Sequence, residues 1–436
     1  MDSPYTQQAN AEDKDASWRA RYSFIWIFYA NCLVGCTSYS LVLPSIWPYI
    51  QKSGGSDEFL ALVMFAYSFG ELVGSLSFGY LFEFIPTKYC MIACVSSGLI
   101  GSLAYTAADF FPGDAALWLI FIGRSLQGFW TGGQQSVEAA YISEVVEPNY
   151  KLVANSEIGI CSVVGFLAGP LVGYFFTFLD IHLSDTIRID QYTSPGYFVA
   201  IFTTIMIFVF AFKFDEIDRQ YRYNLLQNSI SDPLPPDTFG VRTCLFVATI
   251  VYCGFAVQET ITTPFVTDVD HVYTDSFDWS LQGAYLLYIS ASVASIFAFV
   301  FLSKTSDLFD DRKILYYSLY LGLFGWLLFI DWVPRHINHG LFLVGYFMVA
   351  LGYPIARCVV VNVLSHVVGP NPAGKYMGWV IATGGVARCI GPFISIYALK
   401  ISPRVCFGTT SFLFLLSIAS LHANWRRCAR HPYSSS

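Results

Sequence analysis

Charged residues are scarce in this 436-residue chain. Only 13% of positions carry Asp, Glu, Lys or Arg, whereas 55% are hydrophobic. A soluble domain usually has about 25% charged residues. The few charges fall in short clusters between apolar runs of about 20–25 residues, a length that crosses the roughly 30 Å hydrocarbon core of a bilayer. The scarcity of charge excludes an ordinary soluble protein and predicts an integral membrane protein, and the net charge of -7 indicates little about partners.

Signatures of several other protein classes are missing as well. No Asn-X-Ser/Thr triplet occurs, so we expect no N-linked glycan. The eleven cysteines fall almost entirely within apolar runs, so we expect no disulfide framework and no metal-ligand spacing. The sequence contains no phosphate-binding glycine loop and no Gly-X-Ser-X-Gly motif. These absences point away from an enzyme, a cofactor and nucleic-acid binding, and leave a solute or ion gradient as the source of energy.

Twelve apolar runs are long enough to form transmembrane helices. We predict an all-α membrane protein with spans at approximately 22–47, 58–82, 88–108, 115–142, 153–178, 194–214, 242–266, 279–303, 314–332, 340–367, 375–399 and 404–424. The first run follows a polar segment and is too long for a cleaved signal peptide, so we expect it to stay in the protein.

The longest polar segment lies between the sixth and seventh spans and contains Pro233, Pro235 and Pro236, which predicts a flexible linker. The expected organisation is an N-terminal tail (1–21), a six-helix half (22–214), the linker (215–241), a second six-helix half (242–424) and a C-terminal tail (425–436).

Basic residues collect on one predicted side of the membrane, and the opposite side is rich in Asp. Because Lys and Arg favour cytosolic loops, both tails are expected in the cytosol. An inverted chain is the alternative, and it would place most of the positive charge outside. The basic residues assigned to the cytosol include Lys88, Lys151, Arg219, Arg222, Lys304, Arg312, Lys313, Arg426 and Arg427.

The two predicted halves repeat several landmarks at a nearly constant offset. Four positions recur 224 residues later, and a Gly-Pro pair recurs after 222 residues. Such an offset indicates a duplicated six-helix unit, which is a transporter architecture with its substrate site near the membrane midplane. The landmarks are Gly79, Glu83, Lys88, Gly128 and Gly169-Pro170, and their counterparts are Ser303, Asp307, Arg312, Gly352 and Gly391-Pro392.

Three motifs of the N-terminal half resemble those of the major facilitator superfamily. The segment from Gly79 to Lys88 is similar to the loop motif G-x-x-x-D-R-x-G-R-[RK], with Glu83 in place of Asp and with Phe84 and Pro86 in place of Arg and Gly. Two further motifs are Arg124-Ser-Leu-Gln127-Gly128, which resembles R-x-x-Q-G of the fourth helix, and Gly165-Phe-Leu-Ala-Gly169-Pro170-Leu-Val-Gly173, which resembles G-x-x-x-G-P-x-x-G of the fifth. The resemblance implies the major facilitator fold, with twelve transmembrane helices in two pseudo-symmetric six-helix halves.

Segments of the C-terminal half resemble a lysosomal type of major facilitator protein that is linked to a neuronal ceroid lipofuscinosis. This resemblance implies an endolysosomal membrane and transport of a small solute or anion. No acidic dileucine signal is visible, although Tyr223 begins a loose Tyr-x-x-apolar match to a sorting signal. The segments are Val257-Gln-Glu259-Thr-Ile-Thr-Thr-Pro264, Leu351-Gly-Tyr-Pro354 and Gly369 to Trp379, which leads to Ala387-Arg388-Cys-Ile-Gly391-Pro392.

Five charged residues fall near the middle of predicted spans: Glu71, Arg124, Glu259, Arg357 and Arg388. A charge at this depth costs several kcal/mol unless it faces a cavity or a partner. Arg388 has two interpretations. It is either a structural pair with Glu259 or with carbonyls freed at the Gly391-Pro392 break, or an anion contact in the transport path. Two more acids, Glu138 and Glu157, lie about one turn from the predicted cytosolic ends and could be interfacial.

The other mid-depth charges are also candidates for a role in transport, and two of them have a structural alternative. The resemblance associates the Arg124 motif with proton coupling, and a packing role is the alternative. Glu259 is the expected titrating acid, because burial raises the pKa of a carboxyl group and a nearby arginine lowers it. The alternative is a permanently ionised structural partner. Glu71 is a further candidate for coupling, and Arg357 is a candidate anion contact.

Two other groups of residues are expected to serve the conformational cycle. Glu83, Lys88, Asp307 and Arg312 are predicted to form a cytosolic gate, unless they are ordinary surface charges. Close helix packing at the interface between the halves is predicted for Gly165, Gly169, Pro170, Gly173, Gly391 and Pro392. Most Trp and Tyr are expected in belts at the membrane interfaces.

The leading hypothesis is a gradient-driven, proton-coupled carrier of a small anionic solute that works by alternating access. An anion (chloride) channel on the same fold is the alternative, and a transport-inactive scaffold is a third possibility. The expected partners are membrane lipid, a small-molecule or inorganic anion and protons, and the protein is expected to be monomeric.

Overall fold

The computed structural model describes residues 22–146, 148–182, 188–217, 237–268, 272, 277–305, 310–330, 338–368 and 373–428. Twelve long helices make up most of these residues. They are α1 (Ile25–Lys52), α2 (Asp57–Leu81), α3 (Thr87–Ala107), α4 (Asp114–Val145), α5 (Pro148–Phe176), α6 (Ser194–Lys213), α7 (Thr238–Val266), α8 (Leu281–Thr305), α9 (Asp311–Leu328), α10 (His339–Val368), α11 (Ala373–Ile401) and α12 (Pro403–Ala423). A short antiparallel pair, β1 (Asp180–His182) and β2 (Arg188–Asp190), connects α5 to α6.

The twelve predicted spans are confirmed as twelve helices, and ten of them are long and apolar enough to cross a membrane. The other two have clear physical reasons for failing that criterion. Helix α4 carries a series of polar residues on its buried side, including Arg124 and Glu138. Helix α9 is only 18 residues long and begins with three charged residues.

Helix α1 extends beyond its predicted boundary, and proline occurs inside two of the helices. Helix α1 continues through Pro44 and Pro48 to Lys52, five residues beyond the predicted end. Helix α11 likewise continues through Pro392, inside the predicted span 375–399. Proline lacks a backbone N–H, so the freed carbonyl expected at this position stays a prediction. Neighbouring helices stabilise such interruptions inside a membrane protein, and proline is therefore tolerated within its spans.

The helix packing repeats six helices later along the chain. In the first half α1 packs on α5, α2 on α4, and α3 on α4 and α6. In the second half α7 packs on α11, α8 on α10, and α9 on α10 and α12. The halves meet through α2 with α11 and through α5 with α8, which are equivalent pairs under the same repeat. This arrangement gives the molecule two pseudo-symmetric six-helix halves, as predicted. Most of the predicted linker lies outside the described residues.

The small residues of α5 and α11 correct one prediction. A Cβ added at Gly169 would lie 2.5 Å from the backbone nitrogen of Leu41 in α1, and one at Gly165 would meet Cys36 of the same helix. A Cβ at Gly391 would meet Ala256 of α7. These glycines therefore permit close packing inside one half. Among the predicted glycines only Gly173 faces the other half, where a Cβ would lie 2.4 Å from Tyr285 of α8.

We expect Gly169→Ala to destabilise the protein by about 1–3 kcal/mol, because the new methyl group collides with the backbone of α1 and cannot be relieved by a side-chain rotation. Gly159→Ala is the matched control in the same helix, since nothing lies within 4 Å of its added Cβ. Thermal unfolding of the two purified variants checks this expectation. Equal midpoints for both would contradict the close packing of α5 on α1.

Candidate functional site

Charged and aromatic side chains from both halves meet at the centre of the bundle. We call this group the central cluster, and its members come from five helices. They are Tyr39 (α1), Tyr67 and Glu71 (α2), Arg124 (α4), Glu259 (α7) and Arg388 (α11). The cluster brings together four of the five mid-depth charges that were predicted from the sequence.

An ion pair between Glu71 and Arg388 joins the two halves at the α2–α11 contact. The Arg388 Nη1 atom lies 2.5 Å from the Glu71 Oε2 atom, and the two side chains are only 15% and 20% exposed. The predicted pairing of Arg388 with Glu259 is thus replaced by pairing with Glu71. The reason is geometric, because the α2–α11 contact places Glu71 directly beside Arg388.

Glu259 is held by a hydroxyl group and not by a cation. Its Oε2 atom accepts a hydrogen bond of 2.5 Å from the Tyr39 hydroxyl of α1, so this contact also crosses between the halves. The Glu259 Oε1 atom is buried and has no hydrogen-bond partner among the described residues. Glu259 therefore presents a buried carboxyl group with one occupied and one free oxygen.

Arg124 is completely buried and has no carboxylate partner within the described part of the chain. Its Nη1 atom donates to Gln127 Oε1 at 2.9 Å, while its Nε and Nη2 atoms lack partners there. The guanidinium carbon lies 4.4 Å from the ring centre of Tyr67 and 5.6 Å from that of Tyr39. Arg124 is thus held by aromatic faces, and two of its buried nitrogen atoms have no hydrogen-bond partner in the described part of the chain.

The Tyr39–Tyr67 pair connects the two central cations. The ring centres lie 4.6 Å apart, and the Arg388 guanidinium carbon lies 5.2 Å from Tyr39 and 6.0 Å from Tyr67. Cation–π attraction is stronger in a desolvated site. The same two rings therefore contact both arginines, Arg124 from their own half and Arg388 from the other.

Arg357 lies apart from the central cluster, on α10. It is directed into a cavity of about 140 Å³ between α1, α5, α7, α8 and α10, and Glu259 lines the same cavity. No carboxylate pairs with Arg357 in the described regions; its guanidinium carbon lies 5.7 Å from the ring centre of Tyr252. The predicted site residues therefore form one cluster and one separate cation that faces open space.

Glu138 corrects another expectation. It was placed near a helix end as a possible interfacial acid, but it is only 3% exposed and accepts a 2.7 Å hydrogen bond from Asn31 Nδ2 of α1. Glu138 belongs to the polar side of α4 that packs inside the bundle. The sequence placed Glu138 about one turn from the end of a predicted span at residue 142. The helix extends to Val145, so Glu138 lies further inside the bundle than expected.

The contacts that the structure gives for two of the predicted gate residues, Arg312 and Lys88, lie within one half. Arg312 pairs with Asp310 at 2.5 Å and donates to the backbone oxygen of Trp425. The hydrogen bond from Arg312 also holds the pKa of Asp310 below its usual value. The backbone nitrogen of Lys88 donates to Glu216, and Glu83 is exposed. Asp307 lies outside the described residues.

Several contacts between the halves were not predicted. Lys400 near the end of α11 pairs with Glu58 near the start of α2, and Gln282 of α8 donates to Thr177 after α5. Both contacts lie at the bundle end opposite Tyr22 and Cys428, the first and last residues that the structure describes. Glu58 and Lys400 are 342 positions apart, so no local pattern could pair them.

The central tyrosines were missed because aromatic residues were expected at the membrane interfaces. Tyr39 and Tyr67 are buried at the centre, and Trp130 and Trp326 are completely buried. One signal existed for Tyr67, which precedes Glu71 by four residues and therefore shares its helix face. No comparable signal marked Tyr39.

Comparison with known proteins finds a matching family profile and a relative that covers nearly the whole chain. The sequence profile described as Major Facilitator Superfamily matches residues 27–392, with a second match over 244–435. The chain is 22% identical to major facilitator superfamily domain-containing protein 8 of Xenopus laevis, over 96% of this chain and 93% of the relative.

Two solved structures share the fold at low sequence identity. A bacterial homologue of the human lysosomal transporter Spinster, solved in an inward-facing and occupied conformation, has a TM-score of 0.72 at 10% identity; the match covers 95% of this chain and 99% of that one. The human organic anion transporter MFSD10 (TETRAN) has a TM-score of 0.66 at 15% identity, and the match covers 91% of this chain and 98% of that one.

Proposed function

Because the chain belongs to the major facilitator superfamily, we propose that it is a secondary active transporter that moves a small anionic solute by alternating access, coupled to protons. The observation that carries this proposal is the central cluster, in which the contacts Glu71–Arg388 and Tyr39–Glu259 both join one half to the other. These bonds can break and re-form as the halves move, which is the property that a coupled carrier needs.

The anionic character of the solute is supported by the distribution of charge. Glu71 is paired with Arg388, whereas Arg124 and Arg357 have no carboxylate partner among the described residues. An unpaired cation inside a membrane protein has a high free-energy cost, which an anionic solute would reduce when it binds. The fold is also shared with a human organic anion transporter, which agrees with this assignment.

Proton coupling is assigned to Glu259. Its carboxyl group is bonded to the Tyr39 hydroxyl, and its second oxygen is free to hold a proton. A rearrangement of the halves would separate Glu259 from Tyr39 and from Arg124, which both lie in the other half. Glu259 would thereby gain or lose its proton as the cycle advances.

The proposal also covers the protein class, the oligomeric state, the membrane and the orientation. The protein is a transporter and not an enzyme, acts as a monomer in membrane lipid, and resides in an endolysosomal membrane with both termini in the cytosol. The resemblance of the C-terminal segments to a lysosomal type of major facilitator protein supports the location. In this orientation the Glu58–Lys400 pair closes the lumenal end of the α2–α11 contact and must break when that end opens.

Counterflow in proteoliposomes tests the proposal. A carrier preloaded with unlabelled anion should take up labelled anion transiently, and the uptake should saturate. A panel of chloride and small organic anions serves as substrates, with protein-free liposomes as the control. Unsaturable chloride flux without counterflow would instead identify an anion channel on the same fold, and no flux of any anion would refute transport.

Arg124→Gln should lower counterflow by about 10–100-fold, because charge-assisted hydrogen bonds to an anion are worth about 1.5–3 kcal/mol. Arg124→Lys keeps the charge and should retain part of the activity. Arg188→Gln is the control, since Arg188 is partly exposed and pairs with Asp180 in the β1–β2 connection. Normal counterflow in Arg124→Gln would show that Arg124 only packs between helices.

A further inference from the structure

The cavity between the halves has walls that are mostly apolar and aromatic. Its volume of about 140 Å³ is many times the roughly 10–15 Å³ that one water molecule needs on the same scale. Both halves contribute to it. Phe166 comes from α5, Phe299 from α8, and Phe255 and Tyr353 from α7 and α10. A small inorganic ion would leave most of such a surface without a partner.

Two stacked rings, which we call the aromatic wall, line this cavity. The Phe255 and Tyr353 ring centres lie 3.9 Å apart and their planes are inclined by only 4°. The stack connects α7 with α10, which pack together in the C-terminal half. Aromatic surfaces of this kind contribute a large apolar contact area with a defined geometry.

The charged groups lie on opposite sides of this stack. Glu259 follows Phe255 by four residues on α7, and Arg357 follows Tyr353 by four residues on α10. Because successive spans alternate in direction, α7 and α10 run antiparallel. The two charged residues are therefore displaced in opposite directions from the stacked rings, by about 6 Å each along the helix axes.

We propose that this cavity binds an amphipathic organic monoanion, with its charged group at Arg357 and its apolar body against Phe255 and Tyr353. Arg357 supplies a cation that no described carboxylate neutralises, and the aromatic wall supplies the apolar contact. Glu259 at the other side of the stack would repel a second negative charge, so one charge on an uncharged body fits the site. This inference rests on the proposed transport of an anion and specifies its chemical class.

Sulfonates are suitable probes because they stay charged at any working pH and cross lipid bilayers poorly. We would measure binding of methanesulfonate, benzenesulfonate and 2-naphthalenesulfonate to the full chain in lipid nanodiscs by calorimetry, with empty nanodiscs as the blank. Affinity should rise along the series, and naphthalenesulfonate should bind at least about tenfold more tightly than methanesulfonate, because the added rings bury apolar area. The neutral analogue 2-naphthalenesulfonamide should bind more weakly than the sulfonate.

Substitutions distinguish the contribution of the Arg357 charge to binding from that of the aromatic wall. Arg357→Gln should weaken naphthalenesulfonate binding by about tenfold or more and leave the sulfonamide unaffected, whereas Arg357→Lys should retain most of the binding. Tyr353→Leu should weaken the binding of naphthalenesulfonate and leave the binding of methanesulfonate unchanged. This variant still tests the inference if Arg357→Gln fails to fold. Arg188→Gln is the control for loss of an arginine elsewhere.

Equal affinity across the series, or naphthalenesulfonate binding that Arg357→Gln leaves unchanged, would overturn the inference. No sulfonate binding together with normal counterflow of a small hydrophilic anion would refute only the substrate class. If sulfonate binding and anion counterflow were both absent, the proposed transport function would fail as well.

Discussion

Replacing Arg388 by glutamine is expected to reduce anion uptake by about 100-fold, because it leaves Glu71 largely buried without its cation and removes a bond between the halves. Breaking one partner of a buried ion pair costs about 3–5 kcal/mol, and we expect the lower end because both side chains are partly exposed. Initial rates of uptake in proteoliposomes, normalised to reconstituted protein, provide the measurement.

A double replacement distinguishes the two interpretations of Arg388. In Glu71→Gln/Arg388→Gln neither partner is left as an isolated charge, so the thermal stability lost in Arg388→Gln should largely return. If Arg388 takes part in transport, uptake should nevertheless stay low in the double variant. Recovery of both stability and uptake would mean that the pair is a structural pin, and Arg388 would then have no role in binding or coupling the anion.

Glu259→Gln is expected to remove proton coupling while leaving anion exchange measurable. Glutamine has nearly the same shape and can still accept the hydrogen bond from Tyr39, but it cannot carry a proton. We expect substrate-dependent proton flux to fall more than about tenfold, as is typical when a proton-transferring group is removed. Counterflow, which needs no net proton movement, should persist and should lose its dependence on pH.

Tyr39→Phe is the matched control for this prediction. It removes the hydroxyl donor and keeps the carboxyl group, so proton coupling should survive, although at a shifted pH. Unchanged proton flux in Glu259→Gln would contradict the assignment and direct attention to Glu71, the other carboxyl group of the central cluster.

The fold was predictable because its signals are repetitive and local. Apolar runs of membrane-spanning length, and landmarks such as Gly128 and Gly352 at one offset, are visible without any structure. The end of α1 was predicted five residues too early, since the helix continues through Pro48 to Lys52 and neighbouring helices stabilise such interruptions.

The candidate site was predictable in its members but not in its pairings. Mid-helix charges such as Glu71 and Arg388 are conspicuous in apolar sequence, yet their 317-residue separation gives no information about which carboxylate an arginine will meet. That depends on the α2–α11 contact, a property of the assembled halves. Tyr39 was expected at a membrane interface, like most Trp and Tyr, and its contact with Glu259 of the other half is likewise a property of the assembled halves.

The most direct test of coupled, alternating-access transport is a simultaneous recording of anion uptake and internal pH in proteoliposomes that contain pyranine, for the wild-type protein and Arg388→Gln. The account predicts saturable proton movement that depends on the transported anion and disappears together with anion uptake in Arg388→Gln. Chloride flux that neither saturates nor moves protons would contradict it, and would make the protein a channel in which Arg388 is a pore charge or a structural pin.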